Sequence, residues 1–394
     1  MIAPQSSRKR SIRSDREYIV DLLVQARYKG ASDLHIQKNE PPRMRIDGVM
    51  SVFADSEIVG SDAVEKFLDD TDVFVLSRVK RLRGDIGHCE ARYSHEQTGP
   101  VRIEARRTLE GITLNMRLLS DEIPAIEALG LPPIVKTFPD IANGLILFTG
   151  PTGQGKSTSV ASVLDLALDQ RALNLITYED PIEYMHKRYS KNGMPRRGYI
   201  DQVEIGTHIE SYAEGLKSAL RSDPDIIQVG EMRDQETIEE TLRCADTGHL
   251  VFSTGHDQRA SKTVERLVNS FPPTQSEQMR YRLAQTLRYV VSLRLLTHAS
   301  GRGRVSCAEV MAVNDPIRAL IKAAKIDEIP NAIGMESTSH PETGMQTLEN
   351  ALARLYVQGK ITLDTALGEI DQEKRDQFEN ELKREKSRPK SVRG

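Results

Sequence analysis

The stretch that decides the fold is GLILFTGPTGQGKST, residues 144–158. Its first part is apolar and favours a strand, its middle is rich in glycine, and its end favours a helix. Gly150 is followed after four residues by Gly155, Lys156 and Ser157, which is the spacing of a Walker A loop. In such a loop, backbone N–H groups and the lysine contact phosphate oxygens, and the serine hydroxyl binds Mg²⁺. The stretch therefore predicts a site for a nucleoside triphosphate.

The prediction extends over the whole loop and the start of the following helix. Glycines let the backbone curl around phosphate, and the helix N-terminus adds a partial positive charge. The candidate binding residues are Gly150, Pro151, Thr152, Gly153, Gln154, Gly155, Lys156, Ser157 and Thr158. Ser157 is also a candidate metal ligand, so the expected ligands are ATP and Mg²⁺.

The composition is typical of an ordinary globular protein. The chain has 394 residues, of which 38% are hydrophobic and 28% charged, and its net charge is −3. These values allow two or three domains and give no general attraction to nucleic acid or anionic lipid. No apolar run approaches the ~20 residues that span a bilayer. The three cysteines are scattered and form neither a disulfide framework nor a metal motif. We therefore expect a cytoplasmic protein without direct membrane insertion and without a nucleic-acid partner.

Changes in composition along the chain predict six segments. Residues 1–13 are predicted to be a disordered basic tail, and residues 14–120 a small α+β domain. Residues 121–133 are punctuated by Pro and Gly and are predicted to be a linker. Residues 134–315 alternate strands with helices, which is typical of a parallel sheet with crossover helices. Residues 316–371 are predicted to be a helical region, and residues 372–394 a frayed helix or charged tail.

Apolar periodicity predicts the individual elements. In the first domain we expect helices over 15–28 and 61–76 and strands near 30–36, 44–46, 101–106 and 112–118. In the larger domain we expect strands over 145–148, 173–178, 226–229 and 250–253. Residues 187–206 are predicted to be a loop or hairpin excursion, and residues 302–304 to be the tip of a hairpin.

An acidic cluster follows the predicted strand 173–178. It contains Glu179, Asp180 and Glu183, at the edge where ligands bind in open α/β sheets. Hydrolysis of ATP needs a carboxylate for the attacking water, and carboxylates also bind Mg²⁺. Glu179 and Asp180 are therefore candidate metal ligands, and Glu179 is a candidate catalytic residue. The spacing equally fits a helix N-terminus with acids near its dipole.

A second cluster follows the apolar run 226–229. It reads Gly230-Glu231-Met232-Arg233-Asp234 and is similar to the end of a Walker B strand. Gly230 stands where many P-loop enzymes have the Mg²⁺-binding Asp, so a carboxylate of the acidic cluster is expected to replace it. Glu231 is the candidate base that activates water, and Arg233 is a candidate cation.

Two histidines bracket the predicted strand 250–253. His249 precedes the strand and His256 follows it. Each could donate a hydrogen bond to phosphate or to a catalytic carboxylate, and a purely structural role is the alternative. Zinc is not expected, because the pair lacks close spacing and further Cys or His ligands.

Together these clusters resemble the Walker A, Asp box, Walker B and His box of the type II/IV secretion ATPases. The matching stretches are residues 150–158, 178–183, 223–234 and 247–252, and residues 31–36 resemble the signature of the family's N-terminal domain. Within this superfamily the chain is most similar to the type IV pilus retraction ATPases, the PilT-like ATPases of twitching motility. The sequence differs from that group at Tyr178, at Gly255 and Asp257, and in the C-terminal motif at 316–323.

The resemblance implies a RecA-like P-loop core, an N-terminal PAS-like domain and a C-terminal helical region. It also implies a homohexameric ring with ATP at subunit interfaces, where Arg102 and Arg117 of the N-terminal domain would reach the nucleotide. Hydrolysis would drive an inner-membrane platform protein of a pilus or secretion machine, and the ATPase would be peripheral to the inner membrane through this partner.

Three functions follow from these observations. The first is a mechanochemical ATPase of pilus retraction or of a related type IV secretion or conjugation system. The second is a regulatory ring subunit that binds nucleotide without significant turnover. The third is a RecA-like nucleic-acid motor, for which we see no interior basic stripe.

Overall fold

The computed structural model describes residues 15–46, 49–53, 58–69, 87–119, 122–190 and 192–387. Two compact units follow one another along the chain, and the boundary falls between Glu122 and Ile123. The predicted basic tail at 1–13, residues 70–76 of the predicted second helix, and the last residues 388–394 lie outside the described residues.

The described residues of the first unit form an antiparallel sheet and two helices. The helices are α1 (Asp15–Tyr28) and α2 (Ser61–Asp69). The strands are β1 (Asp33–Ile36), β2 (Arg43–Ile46), β3 (Val49–Val52), β4 (His88–His95), β5 (Gly99–Thr108) and β6 (Gly111–Leu118). Their order across the sheet is β3-β2-β1-β6-β5-β4, and all neighbouring strands are antiparallel.

The helix predicted over 15–28 is confirmed, and its apolar face lies in the core of this unit. Ile19, Leu22, Leu23 and Ala26 are all buried with residues of α2 and of the sheet. Strands β3 and β4 were not predicted. All four residues of β3 are exposed, so no alternation of buried and exposed positions marks this edge strand in the sequence.

The second unit is built on a seven-stranded sheet. Its strands are β7 (Gly144–Thr149), β8 (Asn174–Glu179), β9 (Tyr199–Glu204), β10 (Ile226–Val229), β11 (Leu250–Thr254), β12 (Leu287–Thr297) and β13 (Arg304–Ala312). The order is β13-β12-β7-β11-β10-β8-β9. All neighbours are parallel except β12 and β13, which form the hairpin predicted around residues 302–304.

Helices cover both faces of this sheet. They are α3 (Lys156–Gln170), α4 (Tyr212–Ala219), α5 (Gln235–Asp246), α6 (Ala260–Asn269) and α7 (Pro273–Thr286). Strand β7 is buried along its whole length, and its side chains point alternately to the two faces of the sheet. Ile146 and Phe148 pack with α3, whereas Leu145 and Leu147 lie in the core that contains α4 to α7. This burial on both sides explains why the strand reads as a continuous apolar run.

The prediction of a loop or hairpin over 187–206 is only partly right. Residues 199–204 form β9, which pairs in parallel with β8 at the edge of the sheet. Three of its six residues are polar or charged at this partly exposed edge, so it lacks the apolar run that identified the central strands. The predicted linker at 121–133 also contains a 3-10 helix, Ile126–Leu129, whose Ile126 is buried.

The C-terminal part is helical, as predicted. It contains α8 (Asp315–Lys322), α9 (Ile329–Ser339), α10 (Leu348–Val357), α11 (Leu363–Gly368) and α12 (Arg375–Ser387). The charged stretch predicted to fray forms α12, in which Phe378 is buried in one cluster with Leu348 and Leu352 of α10. This core cluster also takes Leu296 and Cys307 from the hairpin of β12 and β13.

Within the described part of the chain, no helix combines the length and the apolar character that crossing a bilayer requires.

Candidate nucleotide site

The predicted Walker A loop joins the carboxyl end of β7 to the amino end of α3. Gly150, Gly153 and Gly155 all have positive φ, with values of 136°, 79° and 83°. A Cβ atom on Gly150 would lie 2.4 Å from the carbonyl oxygen of Leu293, so this position accepts only glycine. The loop therefore has the curled backbone that a phosphate cradle requires.

Lys156 lies over its own loop. Its ammonium donates to the carbonyl oxygens of Gly150 at 2.6 Å and Pro151 at 3.1 Å. Burial lowers the pKa of Lys156, and the nearby carboxylate of Glu183 partly offsets this effect. The lysine is thus held where the loop curls, in reach of a phosphate that enters the cradle.

The hairpin of β12 and β13 braces the same loop. The side-chain oxygen of Gln154 accepts a hydrogen bond from the backbone N–H of Leu295 at 2.5 Å. Arg304 donates to the carbonyl oxygen of Gly153 at 3.3 Å. The variable position of the loop, Gln154, is therefore a structural anchor in this chain.

Glu179 is the last residue of β8, and only 9% of it is exposed. One carboxylate oxygen accepts hydrogen bonds from the hydroxyl of Thr177 at 2.7 Å and the amide of Gln202 at 3.3 Å. Burial raises the pKa of Glu179 to about 7 despite these donors. Glu179 is therefore a carboxylate whose charge a bound cation would stabilise.

The segment after Glu179 returns to the start of α3. The hydroxyl groups of Tyr184 and Thr158 are 2.8 Å apart, and Glu183 interacts electrostatically with both Lys156 and Glu179. Glu183 and Tyr184 were absent from the predicted site. Glu183 belongs to the acidic cluster, and this membership is the sequence signal that could have identified it as a site residue.

Glu231 follows β10, and its carboxylate is 13% exposed. One carboxylate oxygen contacts Arg233, and the other lies 2.9 Å from Nε2 of His256. Burial and then the positive charge of Lys156 lower the pKa of His256, so its imidazole is neutral at neutral pH. Its Nε2–H then donates to Glu231, which fixes the orientation of the carboxylate.

His249 lies at the opposite end of the parallel strands, where their amino ends are. It precedes β11, and Leu250 pairs with Gly144 at the amino end of β7, whereas the loop follows the carboxyl end. Nδ1 of His249 donates to the carbonyl oxygen of Cys244 at 3.0 Å. His249 is therefore not brought to the loop within this chain, and its catalytic role stays a prediction.

The two predicted arginines of the first unit have local partners. Arg102 forms an ion pair with Glu90 at 2.6 Å, and Arg117 with Asp33 at 2.9 Å. Their predicted contact with a nucleotide stays a prediction.

No three His, Cys, Asp or Glu side chains in the described ranges converge as a preformed metal cluster. The hydroxyl of Ser157 and the carboxylates of Glu179 and Asp180 remain the predicted ligands.

Comparison with known proteins points to one family. A family model described as "Type II/IV secretion system protein" matches residues 13–385. The type IV pilus retraction ATPase PilT of Pseudomonas aeruginosa is 34% identical over 350 residues, which cover 88% of this chain and 96% of PilT. The type IV pilus ATPase PilU of the same organism is 33% identical over 359 residues, which cover 90% of this chain and 88% of PilU.

Solved structures agree as well. A crystal structure of the pilus retraction motor PilT with bound ADP has a TM-score of 0.80 and 36% identity, and the match covers 91% of this chain and 99% of PilT. The ATPase DotB of Legionella pneumophila has a TM-score of 0.77, with 91% of this chain and 97% of DotB covered. Its identity of 23% supports the fold alone. The predicted fold class, a RecA-like core with a smaller N-terminal domain, is confirmed.

Proposed function

The chain belongs to the type II/IV secretion system protein family, and from this premise we propose that it is an ATPase that converts ATP hydrolysis into mechanical work. The work we propose is pilus retraction, as in twitching motility, or the related task of a type IV secretion or conjugation apparatus. The names of its relatives PilT and PilU, both type IV pilus ATPases, support a role in a pilus.

One observation carries the proposal. The Walker A loop, the acidic segment after β8 and the pair Glu231–His256 all follow the carboxyl ends of strands in one parallel sheet. Lys156 interacts electrostatically with both Glu183 and His256, so the three groups lie near one another. We infer that phosphate binding and water activation meet at this end of the strands, as hydrolysis requires.

Binding would use the cradle as it stands. Lys156 exchanges the carbonyl oxygens of Gly150 and Pro151 for phosphate oxygens, and the backbone N–H groups of residues 152–158 surround the phosphates. Ser157 together with Glu179 or Asp180 would hold Mg²⁺, which supplies positive charge against the charge that develops on the phosphates.

Glu231 would orient or deprotonate the attacking water. Both of its oxygens are engaged in the structure, and release of Arg233 or His256 would free more of the carboxylate for water. Arg233 is the better candidate because its side chain is 71% exposed and can turn away. Its guanidinium then becomes available to stabilise the phosphoryl group in the transition state.

The assembly we propose is a homohexameric ring. It would act in the cytoplasm on an inner-membrane platform protein, and its membrane association would be through that partner. Arg102 and Arg117 would then complete a nucleotide site at a subunit interface.

Steady-state ATPase measurements with light scattering test the proposal. We expect hexamers with Mg²⁺-dependent turnover, and Lys156→Ala should abolish hydrolysis and most nucleotide binding because the loop loses its cation. Lys217→Ala removes an exposed lysine paired with Glu236 and is the matched control, which should retain activity.

Glu231→Gln separates binding from chemistry. It should retain nucleotide binding while turnover falls by ~10² or more, because the amide cannot accept the proton of water. Equal loss of binding in Lys156→Ala and Glu231→Gln would contradict the role of Glu231. A wild-type protein that binds ATP without hydrolysing it would favour the regulatory alternative, and stimulation by DNA would favour a nucleic-acid motor.

A further inference from the structure

Gln202 lies on β9, the edge strand that sequence periodicity does not reveal. In the parallel pairing of β8 and β9 it is the partner of Thr177, two residues before Glu179. Its side chain is partly buried between this strand pair and the segment that follows Glu179.

The amide of Gln202 makes three hydrogen bonds. Nε2 donates to the carboxylate of Glu179 at 3.3 Å and to the carbonyl oxygen of Tyr184 at 2.8 Å. Oε1 accepts from the backbone N–H of His186 at 3.0 Å. Two donors and one acceptor are thus used together, a combination that neither a carboxylate nor an apolar side chain offers.

The same segment is anchored on its other side by α3, the helix that follows the Walker A loop. Nδ1 of His186, whose side chain is 2% exposed, lies 3.2 Å from the carboxylate of Asp165 on α3. Arg196 pairs with the same carboxylate at 2.7 Å and keeps it charged. Residues 182–186 are therefore held between β9 and the nucleotide-binding helix.

We propose that Gln202 is a positioning residue of the nucleotide site. One N–H of its amide orients the carboxylate of Glu179, and the other N–H together with the carbonyl group fixes the segment that carries Glu183 and Tyr184. Gln202 acts through these groups and not on the substrate. The inference rests on the proposed ATPase function and names a residue that serves it.

The first test uses the full-length protein with Gln202→Met, which keeps the length of the side chain and removes all three hydrogen bonds. We expect kcat to fall about 10-fold or more, as is typical when the partner of a ligand or catalytic carboxylate is removed. The KM for ATP should change less than about 3-fold, because the Walker A loop is intact. The Mg²⁺ concentration for half-maximal rate should rise. Asp201→Asn, at an exposed position of the same strand, is the control and should match wild type.

The second test needs neither ATP nor Mg²⁺. In the nucleotide-free protein, amide hydrogen exchange of residues 182–186 should be about 10-fold faster or more in Gln202→Met than in wild type. Gln202→Glu keeps the shape and the acceptor for His186, loses both donors and places a second carboxylate beside Glu179, so it should also lose kcat. If Gln202→Met does not fold, the role of Gln202 is tested instead by the kcat of Gln202→Glu and by slow exchange of the His186 amide in wild type.

The inference is overturned if either variant keeps wild-type kcat, if only KM changes, or if exchange at 182–186 in Gln202→Met matches wild type. These results leave the proposed function intact, provided that wild type hydrolyses ATP. Absence of turnover in wild type contradicts the proposed function, and the exchange experiment then still tests whether Gln202 orders the segment.

Discussion

Glu179 is a single residue whose proposed function opposes stability. Its carboxyl group is buried at the end of β8, and burial raises its pKa to about 7 from the ordinary value of 4.5. Between these pH values the folded protein binds the proton more tightly than the unfolded chain does. The contribution of Glu179 to stability therefore falls as the pH rises from about 4.5 through about 7. Such a cost is typical of carboxylates kept for binding or catalysis.

This cost predicts the effect of Glu179→Gln without Mg²⁺. The amide keeps an acceptor for Thr177 and Gln202 and carries no charge, so the variant should be more stable than wild type at pH 8, by up to about 3 kcal/mol. The difference should shrink towards zero near pH 4.5, while ATPase activity is lost. Urea unfolding across this pH range with EDTA checks it, and exposed Glu236→Gln is the control. A stability difference that does not depend on pH would contradict the prediction.

At the scale of elements, the central strands could be predicted because burial on both faces leaves a run of apolar residues, as in β7 and β10. Edge strand β9 and helix α12 lack such a signal. In α12 only Phe378 and Leu382 are apolar. Phe378 becomes a core residue and the partly buried Leu382 packs against the same cluster because α10 lies beside them, which local sequence does not specify.

The packing of α12 predicts a large effect of Phe378→Ala. The side chain is 1% exposed, so its removal should destabilise the protein by about 3–5 kcal/mol through lost burial and a cavity. Chemical unfolding measures this, and Glu379→Ala, at the adjacent exposed position, is the matched control. If residues 375–387 were a tail without packing, the two variants would have the same stability.

The sequence identified more of the candidate site's residues than of their spatial arrangement. Glycine spacing located the loop, and the acids were found because they follow apolar strands. The place of His249 follows from strand direction, since a residue before a parallel strand lies opposite the loop that follows its neighbour. The hydrogen bonds of Gln202 could not be predicted, because they depend on the pairing of β9 with β8.

At the scale of the whole molecule, the described residues form separate cores. One core cluster is drawn entirely from the first unit, and the other three are drawn entirely from residues after Glu122. Each unit thus has the apolar core that independent folding requires.

We therefore predict that residues 123–394 alone fold and bind ATP. Circular dichroism and thermal unfolding should give one cooperative transition, and nucleotide binding should be retained because the Walker A loop lies in this unit. Turnover should fall if Arg102 and Arg117 act on a nucleotide, and the full-length double variant Arg102→Ala/Arg117→Ala should reproduce that loss. An aggregated or unfolded fragment would contradict the independent folding of the second unit. Wild-type turnover in the fragment or in the double variant would contradict a role of the two arginines in the nucleotide site.

The hairpin of β12 and β13 touches two distant parts of the second unit. Leu295 holds the Walker A loop through Gln154, and the neighbouring Leu296 lies in the cluster with α10 and α12. Nine residue pairs join the two strands, so the ribbon that carries these adjacent contacts is stiff. We therefore expect a displacement of the Walker A loop to be transmitted through this hairpin to the C-terminal helices.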